Sequence, residues 1–465
     1  MMDSPTTAAT IAALATPPGR GAIAIIRISG PDACAAADAL FHPHRGRPLS
    51  QRSSHTLVHG VIAADHELID DVLAVLMRAP HSYTGEDVVE FHCHGNPLIV
   101  ERVLSLLSAR GVRMAERGEF TRRAFLNARM DLTQAEAVAD LIAAPGDGAR
   151  RAAVAQLSGA LALRLRHLHD ELVSLLALSE ACIEFPDDMD DTQRHFRDIE
   201  TRLARLQDLT AALLRTTHMG RMLHDGYRVV IAGKPNAGKS SLLNALAREE
   251  RALVTEIPGT TRDTLEVDVA IEGFPVRFID TAGLRAARGR IEQHGVARAR
   301  NALANADLIL WTADRACPLS IPAIDEALQL APPARSLWLW NKCDRVARVS
   351  AAARARVAAS WHVIELSART GEGLDALIAA LSTRLRALYS DAADSLIILR
   401  TRHRDLLSRT HDALLSAQTS LSSSGISELL SEDLRTAMHA LGELTGAICT
   451  DDILDRIFAG FCIGK

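Results

Sequence analysis

A strand, a glycine-bounded loop and a helix follow one another in mid-chain, and that order constrains the fold more than any other feature. The apolar run Tyr227-Arg228-Val229-Val230-Ile231-Ala232 leads into Gly233-Lys234-Pro235-Asn236-Ala237-Gly238-Lys239-Ser240, and a helical pattern continues from Ser241 to Leu246. Gly233 and Gly238 allow backbone N–H groups to turn toward phosphates, and the helix N-terminus adds its positive dipole end. Lys239 is expected to reach the β- and γ-phosphates and the Ser240 hydroxyl to ligate Mg²⁺. From about 226 to 387, apolar strands alternate with helical patterns, which predicts a mostly parallel sheet with crossover helices.

Three further elements follow in order. Asp280-Thr281-Ala282-Gly283 comes after the strand pattern Val276 to Ile279, with Asp280 expected behind Mg²⁺ and the Gly283 N–H beside the γ-phosphate. Asn341-Lys342-Cys343-Asp344 follows Leu337 to Trp340. A carboxylate at Asp344 can accept from N1–H and the exocyclic amine of guanine; adenine cannot offer that pair, so the wrong base leaves the carboxylate unpaired. Ser367-Ala368-Arg369 supplies a loop toward the guanine carbonyl. The expected nucleotide is therefore GTP. Many GTPases place Gln after the second element's glycine to orient the attacking water; here the residue is Leu284. A supplied arginine or a monovalent cation must then serve the transition state. The candidate cation ligands are Asn236 and the loop Thr255-Glu256-Ile257-Pro258-Gly259-Thr260-Thr261-Arg262-Asp263, whose Thr261 is also the natural second Mg²⁺ ligand. The alternative role for Asn236 is to brace the phosphate loop.

The rest of the chain surrounds this module. Its 465 residues suggest three domains, at roughly 150 residues each. Apolar residues at 48% and charged residues at 23% fit buried cores and neither a disordered tail protein nor a membrane bundle. With 52 basic against 57 acidic residues, the net charge of −5 provides no global field for a phosphate backbone, so nucleic-acid contacts must be local. Seven scattered cysteines without a C-x-x-C pair suit a reducing cytoplasm. The stretch Ile11 to Ala15 lacks a basic flank and runs into Pro17-Pro18, a poor secretory signal, and no run is long enough to span a membrane. Ile23 to Ile28, Leu57 to Ile62, Val72 to Met77 and Val88 to Cys93 read as strands of a small α/β domain. Leu161, Leu165, Leu168, Leu172 and Leu175 step at helical spacing, as do Ile199, Leu203, Leu206, Leu209 and Leu213, and later Leu430, Leu434, Met438, Leu441 and Leu444. The two helical flanks are expected to bury each other's apolar faces, with the parallel-sheet domain inserted between them; two separate bundles are the alternative.

Several motifs together carry a resemblance: Thr16-Pro17-Pro18-Gly19-Arg20-Gly21, Ser82-Tyr83-Thr84-Gly85-Glu86-Asp87, Gly118-Glu119-Phe120-Thr121, Arg123-Ala124-Phe125-Leu126-Asn127, Asp131-Leu132-Thr133-Gln134-Ala135-Glu136 and the terminal Phe461-Cys462-Ile463-Gly464-Lys465. With them the chain resembles the MnmE (TrmE) family of tRNA modification GTPases, in the TrmE-Era-EngA-YihA-Septin-like superfamily. The resemblance implies an N-terminal α/β folate-binding and dimerisation domain over 1–119. A helical domain follows in two parts, 120–222 and 388–465, around an inserted Ras-like P-loop G domain over 223–387. It implies a potassium-activated GTPase that works with the flavoprotein MnmG, in a heterotetramer or larger complex, on C5 of the wobble uridine of certain tRNAs. The added group is aminomethyl or carboxymethylaminomethyl, drawn from a one-carbon tetrahydrofolate in its 5-formyl or methylene form, while hydrolysis drives G-domain dimerisation.

Carried over by position, the resemblance makes Asn236, Thr255, Ile257 and Thr260 potassium ligands, partly through backbone carbonyls, and Ser240 and Thr261 Mg²⁺ ligands. Glu292 matches a residue that orients the attacking water, an ordinary helix carboxylate without the resemblance. Arg27, Glu90 and Arg129 match folate-binding positions, Arg129 presenting a planar fork where Lys is expected. A structural ion pair is the blander reading of Arg27 and Glu90. Gly464 and Lys465 break a prenylation signal at Cys462; the resemblance instead sends the tail toward the folate, where the thiol could assist chemistry. His92-Cys93-His94 lacks zinc-site spacing. Arg117, Arg122, Arg123 and Arg129 could meet tRNA phosphates or pair internally with Glu119 and Glu136. A ribosome-assembly or regulatory GTPase acting as an RNA-binding switch is the competing reading.

Overall fold

The structure, a computed structural model, describes residues 9–65, 67–185, 192–249, 266–281, 300–390 and 400–465. They fall into two compact units, one of 1–139, 156–190 and 426–465, the other of 140–155 and 191–425. Among the described residues no helix is long and apolar enough to cross a membrane.

Alternating apolar and polar residues build the first unit's sheet from β1 (Ile11–Leu14), β2 (Gly21–Ser29), β3 (Phe41–Pro43), β4 (Thr56–Ala64), β5 (Glu67–Met77), β6 (Val88–Gly95) and β7 (Arg113–Met114). Their order is β3-β4-β5-β6-β2-β1-β7, antiparallel except where β1 meets β7. The four strands expected from β-branched runs lie inside β2, β4, β5 and β6. The stretch Ile11 to Ala15 supplies β1, which with β3 and β7 is too short for a periodic signal. The helix Pro97–Ser108 starts where the Asn96 side chain accepts from the Leu98 N–H at 3.0 Å. It buries Val100, Val103, Leu106 and Leu107 in the core that holds Ile26, Ile28, Val89 and Phe91. Gly95 faces Gly21 so closely that a Cβ there would strike the Gly21 carbonyl.

Polar contacts explain several of the motif residues in this unit. Arg123, 2% exposed, donates to Glu86 at 3.1 Å, Glu119 at 3.0 Å and the Ala9 carbonyl at 2.8 Å. Ser29 Oγ meets Thr84 Oγ1 at 2.7 Å and donates to Glu86 at 2.6 Å, while Asn127 donates to the Thr84 carbonyl at 2.8 Å. Burial alone would raise the Glu119 pKa, but hydrogen bonds from Arg113, the Glu116 N–H and Arg123 outweigh it and hold the carboxyl below its ordinary value. Arg122 pairs with Asp455 at 2.9 Å and Asp451 at 3.2 Å.

In each unit an early helix packs on a late one. In the first, Ala160–Glu184 buries Leu161, Leu165, Leu168, Leu172 and Leu175 beside Glu428–Thr445, with Ser179 and Ser431 bonded at 3.0 Å. In the second, Thr192–Arg215 packs on Thr401–Ser424. The buried stripes differ from expectation at two places. Ala437 is buried rather than Met438, and Thr210 rather than Leu209, because the Thr210 hydroxyl is satisfied by the Leu206 carbonyl and His411 Nδ1.

The second unit's sheet comprises β8 (Tyr227–Ala232), β9 (Glu266–Ile271), β10 (Phe274–Asp280), β11 (Leu308–Asp314), β12 (Ser336–Asn341) and β13 (His362–Glu365). The order is β13-β12-β11-β8-β10-β9, and only β9 runs antiparallel to its neighbour. The apolar strands are covered by Lys239–Glu249 and Leu374–Ser390 on one core and by Ile321–Leu330 and Ala351–Ala358 on another. All four tryptophans, Trp311, Trp338, Trp340 and Trp361, cluster around buried Trp338, so tryptophan fluorescence reports on this unit alone.

Arg123→Met leaves Glu86 and Glu119 short of a buried partner and is expected to lower stability by about 3–5 kcal/mol. Denaturant unfolding followed by circular dichroism measures it, and a loss within about 1 kcal/mol contradicts the network. In the parent, the Glu119 contribution is present above the ordinary carboxyl pKa of 4.5 and is lost as pH falls through the lower folded value.

Candidate functional site

Strand β8 lies between β10 and β11, where the sheet order reverses, and its carboxyl end opens into the phosphate loop. Open α/β sheets bind ligands at such a point. Gly233 and Gly238 hold φ of +142° and +92°, and a Cβ would strike the Thr312 carbonyl at the first and Asn341 Nδ2 at the second. Only glycine fits there. Buried Lys239 donates through Nζ to the loop's own carbonyls, Lys234 at 2.8 Å and Gly233 at 3.1 Å. Ser240 Oγ donates to Asp280 Oδ2 at 2.6 Å, and Thr281 Oγ1 donates to the Ile231 carbonyl at 3.0 Å.

The base-recognition motif is joined directly to this loop. Asn341, at the end of β12, donates through Nδ2 to the Ala237 carbonyl at 2.8 Å and accepts through Oδ1 from the N–H groups of Lys342 and Ala368. Lys342 Nζ donates to the Asn236 carbonyl at 2.7 Å and to Asp314 at 2.6 Å. Asn236 itself has an exposed side chain and a left-handed φ of +63°. Asp344 accepts from Ser367 Oγ at 2.7 Å and Arg369 at 2.8 Å. The Ser367 hydrogen bond leads, with Arg369 adding, in holding its carboxyl below the usual range. A cavity of about 700 Å³ runs along Gly238, Ser241, Asn341, Asp344 and Ser367 to Gly371. Residues of the phosphate-loop pattern and of the Asn341–Asp344 motif thus line one space. Asn244, Arg248 and Asp314 also belong to this neighbourhood; for Asp314 the only signal was an acidic residue ending the strand beside β8.

Thr255, Glu256, Ile257, Pro258, Gly259, Thr260, Thr261, Ala282, Gly283, Leu284 and Glu292 lie outside the described residues.

A second cluster sits on the first unit's sheet. Arg27 on β2 faces Glu90 on β6 and donates to Oε1 from Nε at 2.8 Å, with Cζ 5.3 Å from the Tyr83 ring centroid and 5.7 Å from that of Phe120. The pairing read as a structural alternative is therefore present. The C-terminal tail reaches the same place. Arg27 Nη1 donates to the Gly464 carbonyl at 3.3 Å, the Phe120 N–H donates to Lys465 O at 3.2 Å, and Ile463 bridges Arg117. Gly464 passes Leu14 at φ +93°, where a side chain would strike the Leu14 carbonyl. Burial, with Arg27 repulsion behind it, pushes the Lys465 ammonium below its ordinary pKa. Cys462 is exposed. Arg129 donates to the Ser82 carbonyl at 3.2 Å. His92 Nε2 is buried without a hydrogen-bond partner, 3.5 Å from Glu90 Oε2. Cys93 points to the opposite, buried face, where desolvation raises its thiol to about 12, and His94 pairs with Asp70 at 2.7 Å. His92-Cys93-His94 therefore converges on no common point.

The family model described as "GTP-binding protein TrmE N-terminus" matches residues 10–129, and that described as "MnmE helical domain" matches 132–462. The tRNA modification GTPase MnmE of Symbiobacterium thermophilum is 45% identical over 98% of this chain and 99% of its own length. The chain belongs to the MnmE family. MnmE proteins of Heliobacterium modesticaldum and Chloroflexus aurantiacus are 43% and 45% identical, each over 98% of this chain and 99% of their own. Among solved structures, the G domain of the T. maritima FeoB iron transporter matches 33% of this chain and 98% of its own at 27% identity, with a TM-score of 0.24.

Asp344→Asn is expected to weaken GTP binding by about 10²- to 10⁴-fold, the worth of two hydrogen bonds to a charged group, and to favour xanthosine triphosphate, whose C2 carbonyl accepts from the new amide. Calorimetric titration checks both, and unchanged GTP affinity contradicts the assignment.

Proposed function

We propose that this chain, a GTP hydrolase of the tRNA modification class by family, binds GTP along the cavity from Gly238 to Asp344, with its phosphates toward Lys239, and couples its hydrolysis to wobble-uridine modification. The carrying observation is that Asn341 and Lys342 tie the base-recognition loop to the phosphate loop, which supports one nucleotide spanning both. On this reading the phosphate-loop N–H groups and the start of Lys239–Glu249 receive the phosphates, and Lys239 exchanges the loop carbonyls for phosphate oxygens. Thr281, Ala282 and Gly283 flank the γ-phosphate, and Ala368 backs the guanine.

The oxygen donors Ser240 and Asp280, bonded at 2.6 Å, are chemically suited to a hard divalent cation, and Ser240 with Thr261 would hold Mg²⁺. Bound there, Mg²⁺ neutralises charge developing on the phosphates. Asn236, with its exposed side chain, would hold potassium together with Thr255, Ile257 and Thr260, which supplies positive charge where Leu284 replaces a water-orienting Gln. Glu292 would orient the attacking water.

For the modification itself, Arg27, Glu90 and Arg129 would hold a one-carbon tetrahydrofolate. The unpartnered His92 Nε2 beside Glu90 supports a polar ligand at this cluster, and the tail brings exposed Cys462 near it. The chain would act in the cytoplasm as a homodimer with MnmG, and with net charge −5 it would leave much of the tRNA grip to that partner.

Nucleoside analysis of tRNA from a deletion strain is expected to show unmodified C5 at the wobble uridine, restored by the parent gene and not by Lys239→Ala. Unchanged wobble uridines in the deletion strain contradict the function. GTP turnover is expected to be faster in potassium than in sodium at equal ionic strength; equal rates remove Asn236 from catalysis.

A further inference from the structure

On the first unit's sheet, β4 and β5 bury Val58, Ile62, Val72 and Ala74 on one face and turn Leu57, His59, Asp71 and Leu73 to the other. His44, just beyond β3, joins that open face through its N–H, which donates to the His59 carbonyl at 3.2 Å. Both His44 Nε2 and His59 Nε2 lie 2.9 Å from the same oxygen, Asp71 Oδ1, and the two rings meet edge-on with centroids 4.5 Å apart. All three ligand atoms lie within 4.8 Å of one another, and no other such trio occurs among the described residues. All three residues are exposed, so burial does not force the convergence. The nucleotide and folate readings use none of them.

We propose that His44, His59 and Asp71 form a surface site for a divalent transition ion, Zn²⁺ in the first instance. Two imidazoles and a carboxylate suit Zn²⁺ over Mg²⁺ or Ca²⁺, which prefer oxygen alone. Bonds of about 2.0–2.1 Å in a tetrahedral shell separate neighbouring ligand atoms by roughly 3.3 Å. The two 2.9 Å spacings to Asp71 Oδ1 need to open by about 0.4 Å, and the two imidazole nitrogens, within 4.8 Å of each other, reach the same separation by rotation of exposed side chains. The fourth position is left to water. Two ligands come from the neighbouring strands β4 and β5 and the third from the residue just after β3, the sheet's edge strand of only three residues. A bound ion therefore staples that edge to β4 and β5 and blunts it as a template for pairing with another chain.

The test uses the full chain, reduced and freed of metal by chelation, with Zn²⁺ or Co²⁺ alone as the probe and no nucleotide present. Equilibrium dialysis is expected to show one more bound Zn²⁺ in the parent than in His44→Gln/His59→Gln. Asp71→Asn should weaken binding at that site at least tenfold, with circular dichroism unchanged in both variants. Co²⁺ bound at this site should give visible bands of a four-coordinate nitrogen and oxygen shell that disappear in the double variant. Equal stoichiometry and affinity in parent and double variant overturn the proposal. So does a Co²⁺ spectrum carrying only thiolate charge-transfer bands, which places the ion on cysteines instead.

Discussion

Two side chains at the end of one strand hold the nucleotide site together. Asn341 and Lys342 bond to the Ala237 and Asn236 carbonyls, 104 and 106 residues earlier in the chain. Through Oδ1, Asn341 also fixes the Ala368 N–H of the third loop. A 1% exposed amide that bonds three backbone groups is costly to replace, because the buried Ala237 carbonyl and two partly buried N–H groups otherwise lose their partner. The parallel sheet brings these loops to one end, backbone bonds such as Cys343 N–H to the Leu366 carbonyl join two of them, and the Asn341 and Lys342 side chains tie both to the phosphate loop. Gly233 and Gly238 are small for the same reason: neighbouring strand ends approach the loop too closely for a Cβ.

The first unit uses charge differently. Its most buried cation, Arg123, binds three segments of the chain, so two of the four arginines that could have met tRNA are engaged internally: Arg123 with Glu86 and Glu119, Arg122 with two aspartates. Arg27, with 15% of its side chain exposed, contacts the C-terminal tail and two aromatic rings.

The nucleotide motifs were legible because each encodes local backbone chemistry: glycines at forced φ angles, a lysine and hydroxyl at a helix start, a carboxylate following a strand. The strands of the first sheet were legible from β-branched runs, except the shortest three. What sequence could not show depends on pairing across the fold. Arg27 meets Glu90 only because β6 pairs with β2, 63 positions apart, and Asp314 meets Lys342 only through the β11–β12 neighbourhood. His44, His59 and Asp71 carry no spacing signal, since three strands and their register bring them together. Thr210 and Ala437 replaced larger apolar residues in the buried stripes because a satisfied hydroxyl and a small side chain pack where periodicity alone favours Leu and Met.

Asn341 links the phosphate loop to the third loop, so GTP affinity of Asn341→Ala tests that link most directly. Calorimetric titration should show a loss of about 10- to 100-fold, although Asn341 itself is expected to brace rather than select the base. Tryptophan fluorescence, all of it from this unit, should confirm the variant is folded. Parental affinity in a folded Asn341→Ala chain would contradict the account.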